Sequence, residues 1–365
     1  MGFNCGIVGL PNVGKSTLFN ALTAATVDAS NYPFCTIEPN VGRVPVPDTR
    51  LHEIATIARS KSVTPTSLEF IDIAGLVKGA SAGEGLGNQF LAQIRSVDAI
   101  AHVVRCFGGN EVSHSQGSID PVADVQIVEA ELMLADLDSL VRRRESLIRK
   151  ERGGDKDAMS LMDAIAVAES ALEQGNPVRS LSLTAPMEQL VVSLELLSSK
   201  PVMYICNVDE AAIADGNDYS RSFQIYAESQ GAICVTTSAR LEAEIGLIEE
   251  LDERDKFLMA LGLGESGLSR VIKAGYALLE LITFFTAGPK EARAWTIRSG
   301  ARAVEAAGRI HSDFARGFIR AETISFEDYL SLGGESPCRD QGRLRQEGRD
   351  YVVEDGDIIL FRFNV

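Results

Sequence analysis

The sequence predicts an α/β protein built around a doubly wound, mostly parallel sheet. Short apolar runs typical of buried strands alternate with helical stretches, which is the pattern of a parallel sheet covered on both faces. The chain has 365 residues, more than one average hydrophobic core holds, so we expect two or three domains. The predicted strands of this sheet are 3–8, 68–73, 99–105, 201–206 and 232–236.

A helical insertion is predicted between about residues 125 and 198. Apolar residues spaced three or four apart indicate a long helix with a single apolar seam, and further helices are expected over 159–174 and 187–197. A basic cluster precedes the turn at Gly153 and Gly154, and a solvated helix face is the alternative to a binding surface. The seam residues are Ile127, Ala130, Leu134, Leu137, Val141 and Ile148. The basic cluster is Arg142, Arg143, Arg144, Arg149, Lys150 and Arg152.

The last part of the chain, after about residue 280, predicts a small, separate α+β domain. Glycine-containing turns at Gly333-Gly334 and Asp355-Gly356 punctuate several short strand candidates. These candidates are 296–298, 321–324, 351–353 and 358–363.

Composition and charge exclude several classes of protein. With 45% hydrophobic and 24% charged residues, the chain is an ordinary globular protein. The net charge of −16 argues against a protein whose whole surface coats nucleic acid, although local basic patches remain compatible with it. No apolar run reaches the length of a membrane span and the six cysteines form no C-x-x-C pair, so we expect a cytoplasmic protein with no membrane or DNA partner.

A glycine-rich loop follows the first predicted strand and precedes a helix-like run over 17–25. It reads Gly9-Leu-Pro-Asn-Val-Gly14-Lys15-Ser16. In this context backbone N–H groups close around phosphate, the lysine reaches the β and γ phosphates, and the serine hydroxyl ligates Mg²⁺. The motif therefore predicts a P-loop. The residues expected to bind nucleotide here are Asn12, Val13, Gly14, Lys15, Ser16 and Thr17.

Two further motifs are expected to complete the phosphate and metal site. Asp72, at the end of a predicted strand, begins a D-x-x-G sequence that ends at Gly75, and a glycine-rich stretch follows. Such an aspartate can hold Mg²⁺ through water, and the Gly75 N–H can face the γ-phosphate. Thr36 offers a hydroxyl to the same Mg²⁺, although a lone loop threonine more often makes a turn or cap. The predicted metal ligands are thus Ser16, Thr36 and Asp72.

Two loops stand where a nucleotide switch reads its base. One contributes Asn207, Val208 and Glu210, and the other contributes Ser238, Ala239 and Arg240. A guanine site favours N-K-x-D, because the final aspartate accepts hydrogen bonds that adenine does not offer. Valine and glutamate replace the lysine and the aspartate here, which argues against guanine specificity. A carboxylate facing the adenine N1 acceptor would also be repelled, so the residues alone leave the base open.

These motifs, in this order and spacing, resemble the Obg-like ATPase (YchF) family of P-loop NTPases over the whole chain. The resemblance includes 32–40, 72–80 and the segment 306–322. It implies a nucleotide-binding Obg-type domain over 1–125 and 199–280, an inserted helical coiled-coil arm over 126–198, and a TGS domain of the β-grasp type over 281–365. It also implies hydrolysis of ATP in preference to GTP, and association with the ribosome. Because the protein is acidic overall, we expect contact with the ribosome to be confined to local basic surface on the arm and the TGS domain.

The catalytic residues are expected to be Lys15, Gly75 and His114. Leu76 stands where many switch GTPases place a glutamine that orients the attacking water, and an alkyl side chain cannot do this. His114, at a position that the family also fills with histidine, is the candidate replacement, and an ordinary surface histidine is the alternative. Asn12 resembles the P-loop asparagine that binds K⁺ in related NTPases, with a backbone turn as the alternative.

Two other functions remain open from the sequence. One is a GTPase switch of the Obg class. The other is an adaptor that binds RNA or the ribosome and hydrolyses nucleotide only incidentally. Competition between ATP and GTP for binding distinguishes the GTPase from an ATPase. Stimulation of hydrolysis by ribosomes distinguishes an ATPase from the adaptor, which should show none.

Overall fold

The computed structural model describes residues 3–27, 40–73, 86–108, 119–248 and 250–364. Its described residues form two compact units. The first unit lies within Met1–Asp28, Ile37–Gly42 and Glu69–Val271, and the second lies within Arg43–Leu68 and Ile272–Val365.

Twelve strands are present in the described part of the chain. In chain order they are β1 (Asn4–Val8), β2 (Val41–Pro45), β3 (Ser62–Thr64), β4 (Ser67–Asp72), β5 (Ala99–Arg105), β6 (Val202–Asn207), β7 (Ile233–Thr237), β8 (Leu281–Ala287), β9 (Glu291–Arg298), β10 (Phe318–Ile324), β11 (Arg345–Glu347) and β12 (Ile358–Phe363).

The α-helices of the same residues follow in chain order. They are α1 (Lys15–Val27), α2 (Thr49–Ala58), α3 (Leu86–Ser96), α4 (Pro121–Arg152), α5 (Lys156–Glu173), α6 (Ala185–Val192), α7 (Asp218–Ser229), α8 (Ala239–Ile245), α9 (Leu251–Ala260), α10 (Gly267–Leu278), α11 (Ala303–Ile310), α12 (Ser312–Arg316), α13 (Phe326–Leu332) and α14 (Glu335–Asp340). Short 3-10 helices occupy Val178–Ser180, Leu197–Ser199 and Glu210–Ala212.

One six-stranded sheet has the strand order β2-β4-β1-β5-β6-β7, and its strands β1, β5, β6 and β7 lie wholly in the first unit. Strand β1 is parallel to β4 on one side and to β5 on the other, and β5, β6 and β7 continue in parallel. Every residue of β5 and of β6 is buried, as expected of central strands covered on both faces. This arrangement confirms the predicted α/β fold. Its crevice lies at the carboxyl end of β1, where the strand order reverses.

The helical arm is built on α4, α5 and α6. Asp120 caps the start of α4 by accepting from the N–H groups of Val122 and Ala123, and Asp155 caps α5 in the same way. Helices α4 and α5 are joined by the turn at Gly153 and Gly154, and their facing apolar residues form a core of their own with α6. The predicted long helix and basic turn are therefore present.

The buried face of α4 differs from the predicted seam. Leu134 and Val141, two members of that seam, are 50% and 49% exposed. The apolar residues predicted to be buried and those that are buried both have helical spacing, because α4 carries apolar residues on more than one face. Which face is buried depends on the position of α5 and of the sheet, and the spacing does not contain that information. The buried apolar residues on α4 include Val125, Val128, Leu132, Ala135 and Leu140.

A buried polar group joins the arm to the sheet within the first unit. The Tyr204 hydroxyl on β6 donates to Glu129 Oε1 on α4 at 2.9 Å, and Arg179 forms an ion pair with the same carboxylate. The His102 ring on β5 is buried, with its centroid 5.9 Å from that of Tyr204. Burial, aided by the charge of Arg179, lowers the pKa of His102 to about 3. This histidine is therefore neutral at physiological pH.

The second unit contains a mixed sheet with the strand order β11-β10-β12-β8-β9-β3. Strands β8 and β9 form an antiparallel hairpin, β12 lies parallel to β8, and β10 lies antiparallel to β12. Helix α2 packs on this sheet through Leu51 and Ile54. The predicted strand at 351–353 is only an isolated bridge between Val352 and Arg302.

The second unit also takes in a segment that the sequence analysis assigned to the nucleotide-binding domain. Residues 43–68 group with the C-terminal residues because β3 pairs with β9, with Ser62 opposite Glu291. A three-residue strand gives too little apolar pattern to be recognised, and its partner lies far away in the chain. In the described part of the chain, no helix has the length and apolarity needed to cross a membrane.

Candidate nucleotide-binding site

The glycine-rich loop leaves β1 at Val8 and enters α1 at Lys15. Positive φ angles at Asn12 (64°) and Gly14 (91°) curl the loop between the strand and the helix. A Cβ atom at Gly9 would lie 2.7 Å from the Val103 carbonyl oxygen, so the start of the loop fits against β5 only without a side chain. The loop therefore has the strand–loop–helix context of a P-loop at the sheet's crevice.

Lys15 and Asp72 are in direct contact in this crevice. The Lys15 ammonium lies 2.5 Å from Asp72 Oδ1, and it also donates to the Ile73 carbonyl oxygen at 2.7 Å. Both side chains are largely shielded from solvent. Asp72 occupies the end of β4, directly beside Ile7 of β1, so the strand pairing brings together two groups that are 57 residues apart in sequence. The expected phosphate-binding lysine and metal-binding aspartate thus share one site.

The residues expected to hold Mg²⁺ have suitable chemistry where the structure describes them. Ser16 and Thr17 are exposed in the first turn of α1, and Asp72 supplies a carboxylate that contacts the adjacent Lys15. Hydroxyl and carboxylate oxygens are the ligands that Mg²⁺ prefers. Among the described residues, no cluster of three His, Cys, Asp or Glu side chains forms a metal cage. This donor set fits an ion that takes its remaining ligands from phosphate and water.

Three predicted site residues lie outside the described residues. They are Thr36, Gly75 and His114.

Asn207 connects the P-loop to the second base loop. Its Nδ2 donates to the Val13 carbonyl oxygen at 2.9 Å, and its Oδ1 accepts from the Ala239 N–H, also at 2.9 Å. Asn207 is buried, so both polar atoms of its side chain are used within the protein. Asn207 is expected to bind nucleotide, and in this arrangement its side chain also fixes the relative position of the two loops.

The other predicted base-loop residues divide into buried and exposed positions. Val208 packs into the core, and its N–H donates to the Thr237 carbonyl oxygen at 2.9 Å. Ser238 and Ala239 are also buried. Glu210 is exposed and forms an ion pair with Arg240, with Oε1 3.0 Å from Nε.

Arg240 is predicted from the sequence as a member of the second base loop, without a partner, and Glu242 is not predicted as a participant at all. Glu242 is buried at the start of α8, where Oε1 accepts from the Gly267 N–H at 2.6 Å. Burial raises the pKa of Glu242 despite this hydrogen bond. Its carboxylate attaches α8, and with it the second base loop, to the beginning of α10.

Family comparisons match both ends of the chain. Residues 4–139 match a family described as "50S ribosome-binding GTPase", and residues 281–364 match YchF-GTPase_C, described as "Protein of unknown function (DUF933)".

Full-length relatives and a solved structure agree with this assignment. The proteins named "Ribosome-binding ATPase YchF" in Escherichia coli O157:H7 and Bacillus subtilis strain 168 are 51% and 49% identical over 365 and 367 residues, covering 100% of both chains. The solved structure of the Schizosaccharomyces pombe YchF GTPase superposes with a TM-score of 0.90 at 35% identity, covering 99% of this chain and 98% of that chain. The chain therefore belongs to the YchF family.

Proposed function

We propose that this protein is a ribosome-binding ATPase that hydrolyses ATP to ADP and phosphate and prefers ATP over GTP. The observation that carries the proposal is the contact between Lys15 and Asp72 at the carboxyl edge of a doubly wound sheet. The names of the full-length relatives support ATP and the ribosome as ligands. In this proposal nucleotide state acts as a switch on translation or on a stress response.

The reaction begins with placement of the triphosphate in the P-loop. Backbone N–H groups from Val13 to Ser16 surround phosphate, and the α1 N-terminus adds partial positive charge. Lys15 moves from Asp72 to the β and γ phosphates and neutralises the charge that develops there. Mg²⁺, when bound, polarises the γ-phosphate and shields its charge.

The metal and the attacking water require further residues. Ser16, Thr36 and Asp72 would hold the Mg²⁺, and the Gly75 N–H would face the γ-phosphate. His114 would orient the water, because Leu76 has no group to do so. Asn12, exposed at the outer turn of the P-loop, would supply an oxygen to K⁺.

Ribosome contact is proposed for the arm tip and for a C-terminal TGS domain of the β-grasp type. Arg149, Lys150 and Arg152 are exposed at the end of α4, and these three make no ion pair with any residue that the structure describes. Arg143 and Arg144, in contrast, bond within the arm, to the Ser193 carbonyl oxygen and to Glu169. A cytoplasmic location without membrane or DNA partners accompanies this proposal.

A competition experiment tests the base preference. Wild-type protein with Mg²⁺ is titrated with ATP and with GTP against a fluorescent ADP analogue, and we expect ATP to bind more tightly. A preference for GTP by about tenfold, equivalent to about 1.4 kcal/mol, would support the GTPase alternative instead.

Hydrolysis measurements separate the ATPase from an adaptor. Phosphate release is measured with and without ribosomes for the wild type, for Lys15→Ala and for Lys256→Ala, an exposed lysine on α9. We expect ribosomes to stimulate the wild type and the Lys256 variant, and Lys15→Ala to be inactive because the charge on the triphosphate is not neutralised. Unstimulated hydrolysis would favour the adaptor, and near-normal turnover by Lys15→Ala would contradict the P-loop assignment.

A further inference from the structure

Glu210 and Arg240 meet at the carboxyl ends of two neighbouring parallel strands. Glu210 follows β6 and Arg240 follows β7, and these strands pair in register from Met203 to Asn207. Arg240 Nε lies 3.0 Å from Glu210 Oε1 and 3.8 Å from Glu244 Oε1. The guanidinium is thus held between two carboxylates at the place proposed for base recognition.

Glu210 and Arg240 are both exposed, charged residues of the base loops, and they form an ion pair. Arg240 is 80% and Glu210 44% exposed, whereas Asn207, Val208, Ser238 and Ala239 are buried. Asp209 is exposed as well, and among the described residues it has no cationic partner. A base entering this end of the site would therefore meet Glu210 and Arg240 together.

Hydrogen bonds through Asn207 connect the backbone next to Arg240 to the P-loop. The N–H of Ala239, the preceding residue, donates to Asn207, and Asn207 in turn donates to Val13. Because these bonds are buried, the loop that carries Arg240 has a defined position relative to the phosphates. The ion pair is consequently placed by the same contacts that shape the nucleotide site.

An unpaired carboxylate attracts the Watson–Crick edge of guanine and repels the N1 atom of adenine. Guanine carries donors at N1 and at its exocyclic amine, and a carboxylate attracts both. Adenine carries an acceptor at N1, and a carboxylate repels it. A lone Glu210 would therefore favour GTP, which conflicts with an ATPase.

We infer that Arg240 determines base specificity by neutralising Glu210. The guanidinium cancels the charge that would attract guanine and offers its remaining N–H donors to the ring nitrogens of adenine, while the second oxygen of Glu210 stays available to the adenine amine. This inference rests on the proposed function, since it explains how an Asn-x-x-Glu loop accepts ATP. Arg240 acts at the base, away from the reacting phosphate.

A double-mutant cycle tests the inference. Affinities for Mg-ATP and Mg-GTP are measured for the wild type, Arg240→Ala, Glu210→Gln and the double variant. We expect Arg240→Ala to shift the ratio of ATP to GTP affinity toward GTP by about tenfold, because it frees the carboxylate. In the double variant, the ratio of ATP to GTP affinity should lie within about twofold of the ratio in Glu210→Gln alone. Without the Glu210 carboxylate, removal of Arg240 exposes no negative charge.

Matched controls and the wild-type ratio make each outcome decisive. Arg221→Ala removes an exposed arginine from an ion pair on α7, and Asp215→Asn removes an exposed carboxylate outside the two base loops. Both should keep the wild-type ratio. An unchanged ratio in Arg240→Ala, with ATP preferred by the wild type, would overturn this inference alone. A wild type that prefers GTP would overturn the proposed ATPase function whatever the variants do.

Discussion

The Lys15 ammonium donates to Asp72 Oδ1 at 2.5 Å, and this bond joins the phosphate-binding and metal-binding groups in the described structure. Each group neutralises the charge of the other. Binding of Mg-ATP must exchange this bond for two new ones, from Lys15 to phosphate and from Asp72 toward the metal. The triphosphate and the ion are therefore expected to bind cooperatively.

Asp72→Asn is predicted to reduce the dependence of ATP affinity on Mg²⁺. Without the carboxylate, ATP alone should bind more tightly, since one negative charge and one competitor for Lys15 are gone. With Mg²⁺, hydrolysis should fall by at least about tenfold, because a metal ligand is missing. ATP affinity is measured with Mg²⁺ and with a chelator, and Asp215→Asn, an exposed aspartate of the first unit, is the control. Equal Mg²⁺ dependence in Asp72→Asn and wild type would contradict the cooperative scheme.

Gly14→Ala is predicted to destabilise the first unit as well as the nucleotide site. Its Cβ would lie 2.2 Å from Asn207 Nδ2, so the side chain that bonds Val13 must shift, and φ is +91°. We expect a loss of about 2 to 5 kcal/mol from backbone strain and buried unpaired groups. Gly154→Ala, at φ +80° with nothing within 4 Å of the added Cβ, should lose only about 1 to 2 kcal/mol. Urea denaturation measures both, and equal losses would argue against the Asn207 contact.

His102 is predicted to make stability depend on pH. Its pKa is lowered from 6.5 to about 3 in the folded protein, so the unfolded chain binds more protons between these values. Stability is therefore full above about pH 6.5 and falls as the pH decreases. Relative to His102→Leu, the wild type should lose about 2 kcal/mol between pH 6.5 and about pH 5.

The control for the histidine prediction is His52→Gln. His52 is exposed on α2, and this variant should follow the wild-type pH curve. Free energies of unfolding are obtained from urea titrations across the pH range. Parallel curves for wild type and His102→Leu would show that His102 becomes protonated without cost in the folded state.

Reversal of charge at the arm tip is predicted to weaken ribosome binding and leave intrinsic ATPase activity intact. Arg149→Glu with Arg152→Glu changes two exposed residues outside the nucleotide site. The logarithm of the binding constant falls linearly with the logarithm of the salt concentration, and loss of two phosphate contacts should make this slope shallower by about 1.4 to 1.8. Co-sedimentation with ribosomes is compared with Arg221→Glu plus Lys256→Glu, which makes the same change in charge on α7 and α9. Equal binding by the two double variants would remove the arm tip as a contact surface.

The sequence was informative wherever a signal was local. Buried strands such as β5 and the loop from Gly9 to Ser16 were predictable because apolar runs and glycine spacing lie within a few residues. The buried face of α4 could not be predicted from the sequence. Leu134 and Leu132 satisfy similar helical spacing, and only packing distinguishes the exposed residue from the buried one. The pair of Glu210 and Arg240 was also missed, because it depends on strand register between β6 and β7.

The pairing of β3 with β9 has a consequence for how the chain is made. Ser62 Oγ donates to the Lys290 carbonyl oxygen, a separation of 228 residues. During synthesis at about 5 to 20 residues per second, β3 must wait on the order of 10 to 50 seconds for its partner strand. The β3 backbone is unpaired throughout this interval, so the second unit completes its sheet only near the end of translation. A nascent chain stalled before residue 281 should therefore bind chaperones through β3 and through the apolar face of α2, whose packing partners are not yet made.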